Sequence, residues 1–120
     1  MQFDSSQPIY IQIVDQIKRE LLIGTLKAGD KIAPVRELAL SYEVNPNTMQ
    51  KALAELEREG YLYSERTAGR YVTKEATQIA KLREELPQTL TRQFVADMQA
   101  LQLTPDEILK HLQHYLKEKP

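Results

Sequence analysis

Residues 44 to 53, VNPNTMQKAL, set uncharged hydrogen-bonding side chains, and no acid, at the start of an apolar pattern with helical spacing. A helix start carries roughly half a positive charge and ordinarily draws Asp or Glu into its first turn. Here Asn45 is suited to cap the helix and Pro46 to preset its first position, while Asn47 and Thr48 leave the backbone N–H groups unchallenged by any carboxylate. Such an end is open to an outside anion such as a phosphate. Gln50 and Lys51 follow directly. A glutamine can pair with a base edge and a lysine can hold a phosphate.

Three arginines extend this chemistry. Arg36 falls in the first turn of a helix opened by Pro34, where the dipole opposes a cation by about 0.3–1 kcal/mol. A phosphate partner offsets that cost, and the competing reading is a surface pair with Glu37. Arg66 and Arg70 bracket Thr67-Ala68-Gly69, a turn in which glycine permits a positive φ. Flanking arginines on a loop tip can enter a minor groove or clamp its phosphates; the plainer reading leaves them solvated. His111 and His114 stand three apart, but with no cysteine in the chain and only Asp106, Glu107 and Glu118 nearby they make no recognisable metal set. No metal or cofactor is expected.

The elements that must position these residues follow from periodicity. Ile9, Ile13, Ile17 and Leu21 recur every four residues and predict a helix over 8–23 stopped at Gly24. GTLKAGDK reads as a connector, on its glycines and Asp. Pro34 then opens a short helix with Val35, Leu38, Ala39 and Tyr42 on one face, and Glu43, Val44 and Asn45 turn the chain. In the following helix, 46 to 59, Met49, Ala52, Leu53 and Leu56 face inward; Asn47, Lys51, Ala54 and Arg58 face outward, with Thr48 and Gln50 on the flanks. Gly60 is placed to end it, and YLYSE and RYVT read as two short strands around the Thr-Ala-Gly turn. The fold class is mainly α with a small β-wing: a winged helix-turn-helix.

From about residue 75 one long stripe runs through Ile79, Leu82, Leu86, Leu90, Phe94, Met98 and Leu101, interrupted by Pro87, which either kinks the helix or divides it. Thr104-Pro105-Asp106-Glu107 is a strong start signal for a last helix whose face holds Ile108, Leu109, Leu112, Tyr115 and Leu116. Two helices cannot bury two such stripes alone, and a second copy of the same pair is the simplest partner. The chain therefore divides into a DNA-binding domain, 1–74, and a helical dimerisation module, 75–120, with Leu82, Leu86, Leu90, Phe94, Met98, Leu101, Leu109, Leu112 and Leu116 at the interface.

Composition narrows the class. The 120 residues are 42% hydrophobic, enough for one modest core, with no cysteine, no tryptophan and two histidines, few parts for nucleophilic catalysis. An enzyme is disfavoured. No apolar run approaches the ~20 residues of a membrane span and the start lacks a signal peptide, which predicts a cytoplasmic protein. The net charge is −1, and residues 1 to 74 carry ten basic and ten acidic side chains. Any nucleic-acid role thus rests on where the charges lie, because the total carries no signal.

The run LLIGTLKAGDKIAPVRELALSYEVNPNTMQKALAELEREGYLYSERTAGRYVT resembles the DNA-binding domain of GntR-type bacterial transcription regulators. Arg36, Glu37, Leu38, Ala39, Asn47, Thr48, Ala52, Leu53, Leu56, Glu57, Gly60, Gly69 and Val72 carry the match. The Asn-Pro-Asn-Thr start and short tail resemble the YtrA-type subfamily. Ile32-Ala33-Pro34 departs from the usual Leu-Pro-Ser, and Pro46 and Gln50 stand where many relatives have arginine. The resemblance implies a sequence-specific repressor, acting as a homodimer on a palindromic operator, with Arg36, Asn45, Asn47, Thr48, Gln50, Lys51, Arg66, Gly69 and Arg70 on double-stranded DNA. It also implies control of a nearby operon, often one for an ABC transporter, and names no small-molecule effector. The alternative is a winged helix that binds protein and lacks specific DNA binding.

Overall fold

The computed structural model describes residues 2–118. Its elements run α1 (Ile9–Ile23), α2 (Val35–Tyr42), α3 (Pro46–Arg58), β1 (Leu62–Glu65), β2 (Gly69–Val72), α4 (Ala76–Ala100) and α5 (Pro105–Glu118). The chain divides into two compact units, Met1–Arg83 and Glu84–Pro120.

In the first unit α1 and α2 pack on α3, and the four-residue spacing of α1 becomes one buried row: Ile13, Val14, Ile17 and Leu21. α3 answers with Met49, Ala52, Leu53 and Leu56, each at most 1% exposed. Burying one such side chain contributes about 1.5–3 kcal/mol, so this face fixes how α3 is rotated and which residues it turns outward. Glu43, at φ 57°, closes α2 in the left-handed region, and Val44 N–H reaches Ala39 O at 2.9 Å. That turn sets α2 against α3.

The wing is an antiparallel hairpin in which Tyr63 faces Tyr71, their rings stacked with centroids 5.7 Å apart. The connector before α2 adds to it, which the sequence did not suggest. Gly29 N–H bonds to Val72 O, Val72 N–H to Asp30 O and Ile32 N–H to Arg70 O, at 3.0, 2.8 and 2.9 Å. Residues 29 to 32 thus line the hairpin's open edge, and Ile32 enters the core.

Gly60, at φ 86°, ends the run after α3 as expected, and the first turns of α4 close over it. Gln78 Nε2 donates to Glu59 O at 3.0 Å and sits where a Cβ on Gly60 would fall. Further along, Leu82 is 3% exposed and Arg83 donates to Leu22 O at 2.8 Å. These contacts carry the first unit past Lys74 to Arg83. Leu82 therefore has little surface to offer a partner, which corrects its expected place on the dimer face.

In the second unit α4 runs through Pro87 as one continuous helix. A turn at Leu101–Thr104 leads to α5, where the expected reciprocal cap forms: Thr104 N–H donates to Glu107 Oε1 at 2.9 Å and Glu107 N–H to Thr104 Oγ1 at 3.3 Å. Ile108 is buried; Leu90, Phe94, Leu101, Leu109, Leu112, Tyr115 and Leu116 are exposed. Leu86 and Met98 are half-buried.

Candidate nucleic-acid interface

The site grows from the start of α3. Asn45, extended at ψ 136°, accepts the Asn47 N–H on its side-chain oxygen at 2.7 Å, and Pro46 takes the first helical position. No acid occupies the first turn. Because Pro46 has no N–H and Asn47 gives its own to the cap, an outside anion meets less free backbone here than the sequence suggested. What remains outward is side chains: Asn47, Gln50 and Lys51 are exposed, and Thr48 is half-buried.

The acids of α3 are confined to its far half and are paired. Arg58 binds Glu55 and holds its carboxyl down to about 2. Lys18 of α1 binds Glu59 at 2.9 Å, its ammonium also 5.4 Å from the centre of the Tyr61 ring. Glu57 is taken by the wing: Arg70 Nε donates to its Oε1 at 3.0 Å and Ser64 Oγ to the same oxygen at 2.9 Å. Negative charge on α3 is thereby offset where it occurs, and the helix start keeps its positive character.

Among the described residues Arg36 has no ion-pair partner, Glu37 included, and it is exposed as the second residue of α2. Arg66 is exposed at the wing tip. Gly69 sits at φ 103°, a conformation that strains any L side chain, so its place in the wing is conformational. Arg70 differs from expectation in direction. It lies in β2 with its side chain only 19% exposed, turned toward α3, with Nη1 3.4 Å from Gln50 Oε1. The structure brings Gln50, Glu57, Ser64 and Arg70 into one chain of contacts.

Tyr10 was not legible as a site residue. Its ring lies 4.2 Å from Lys51 Nζ, a cation–π contact that holds the lysine at the exposed start of α3. Tyr10 sits on the half-buried side of α1, and no spacing rule links it to residue 51.

Residues 9–72 match the family described as bacterial regulatory proteins, gntR family. The chain belongs to the GntR family. It is 39% identical to the HTH-type transcriptional regulator YhcF of Bacillus subtilis over 95% of this chain and 94% of that one. It is 50% identical to the HTH-type transcriptional repressor YtrA of the same organism, over 60% of this chain and 55% of the repressor. Among solved structures, a GntR family transcriptional regulator from Listeria monocytogenes superposes with a TM-score of 0.84 at 41% identity, covering 93% of this chain and 98% of that one. The DNA-binding domain of AraR, solved in complex with its operator, matches 61% of this chain and 88% of that chain, with a TM-score of 0.54 and 27% identity. This GntR member is accordingly a winged-helix transcription regulator by family. Among its described residues no helix is long and apolar enough to cross a membrane.

Proposed function

We propose that this GntR member is a homodimeric repressor that recognises a palindromic operator, each copy placing the start of α3 in a major groove. The observation that carries the reading is the composition of that helix end: an Asn cap, no acid in the first turn, and Asn47, Gln50 and Lys51 exposed beside it. In helix-turn-helix proteins the first residues of the second helix reach base edges, and two-fold symmetry of the protein is mirrored in the site. Arg36 and Arg66 hold phosphates on either side of the base-reading residues. The exposed apolar faces of α4 and α5 supply the dimer contact. Likeness to YtrA-type repressors extends the reading to an adjacent operon, with a transporter operon as the first to examine.

Selection of bound fragments from genomic DNA by the intact protein tests this directly. An enriched inverted repeat, bound with an affinity that falls steeply with salt, is the expected result. No enrichment, with binding to any duplex insensitive to salt, would instead support a winged helix that serves protein contacts.

A further inference from the structure

We propose that Arg70 sets the base preference of Gln50, making it select guanine over adenine. The inference rests on the DNA-binding reading above and goes beyond it to the base that is read. An arginine has hydrogens to donate and nothing to accept with, so the glutamine amide that meets it must turn its oxygen inward. Nη1 of Arg70 lies 3.4 Å from Gln50 Oε1. The guanidinium is itself anchored: Nε donates to Glu57 Oε1 at 3.0 Å, and Ser64, the register partner of Arg70 across the hairpin, donates to the same oxygen at 2.9 Å. Glu57 is two turns along α3 from Gln50, and Arg70 spans the interval from the wing.

A free glutamine reads adenine by presenting its oxygen and its nitrogen together, one accepting from N6 and the other donating to N7. Oε1 keeps a second lone pair, but turned toward Arg70 it no longer faces the groove beside the nitrogen, so the amide NH2 is the group presented to a base. Guanine offers two acceptors, O6 and N7, in the major groove; adenine sets a donor beside its one acceptor. A head that turns its donors to the base fits guanine and sets its N–H against the adenine amino group. Arg70 is thus a positioning residue, acting on specificity through Gln50.

The test uses the intact protein and its selected operator, with each base placed in turn at the half-site position that Gln50→Ala relaxes. Wild type should bind the guanine duplex about tenfold more tightly than the adenine duplex. Arg70→Lys keeps a charge for Glu57 but lacks the planar fork that reaches Gln50 as well. It should move the ratio toward adenine with the thermal transition retained, and Glu57→Gln, which loosens the anchor, should move it the same way. A wild type that prefers adenine, a Gln50→Ala protein that relaxes no position, or a ratio unchanged in both wing variants would overturn the proposal while leaving DNA binding intact. A wild type that binds all four duplexes equally would likewise overturn it, whereas failure to bind any of them would remove the DNA reading itself and this inference with it.

Discussion

Arg36 occupies a position that its own helix disfavours, and among the described residues no acid relieves it. Replacing it by alanine should leave the fold intact and weaken operator binding, with the slope of log affinity against log salt falling by roughly one unit. Titrations at several salt concentrations give the answer, and an unchanged slope would take Arg36 off the phosphate. Lys51 makes a second case. Tyr10 holds its ammonium 4.2 Å from the ring centre, so Tyr10→Leu should weaken binding to all sequences alike, as Lys51→Ala should, whereas Tyr10→Phe should retain the aromatic face and most of the affinity. Binding of the three variants to operator and to unrelated duplex separates these outcomes; full affinity in Tyr10→Leu would dismiss the contact. Arg36 stood out in the sequence because a charge at a helix start is a local fact. The partners of Arg70 and Lys51 were illegible because Glu57 and Tyr10 meet them only after α3 has docked on α1 and the wing has closed.

At the scale of elements, helices were readable because a packed helix repeats its buried face about every 3.6 residues, and Met49, Ala52, Leu53 and Leu56 obey that period. The edge formed by residues 29 to 32 was not, since Gly29 and Asp30 look like turn residues and their pairing depends on Arg70 and Val72, distant in the chain. Signals that are complete within a few residues survive best, as at the start of α5. There the backbone N–H of Thr104, together with its side chain, holds the Glu107 carboxyl below the usual carboxylate range. A depressed folded-state value stabilises the cap above the unfolded-state value, and that stabilisation fades as pH falls through the folded one. Thermal unfolding should therefore show a loss on acidification that Glu107→Gln lacks at this position. Thr104→Ala should cost about 1 kcal/mol at neutral pH. Identical pH profiles for wild type and Glu107→Gln would show that the carboxylate contributes nothing to the cap.

For the whole molecule the decisive quantity is apolar surface without a cover. Leu101 is 72% exposed in the turn between α4 and α5, and Leu109 and Leu116 are 52% and 60% exposed on α5, an apolar face of the kind that marks an interaction surface. On the proposed reading a second copy would cover such faces by symmetry, and joining two DNA-binding units would make the second half-site contact intramolecular. Such a step would raise overall binding by ~10²–10⁴ without any new contact to DNA. With balanced charge, a lone winged helix has few phosphate contacts to compensate. Because Leu82 is buried and Gln78 and Arg83 bond back to Glu59 and Leu22, a shortened protein must keep residues through 83; ending it at Lys74 would strip the first unit of part of its own core. The protein ending at Arg83 should be folded and monomeric and should lose operator affinity by that factor at physiological salt. Leu112→Glu, which places a charge on the exposed face of α5, should give the same result in the full chain. Sedimentation and operator titration on both proteins provide the measurement. A wild type that sediments as a monomer at micromolar concentration, or an undiminished affinity in the shortened protein, would assign the two helices to another partner.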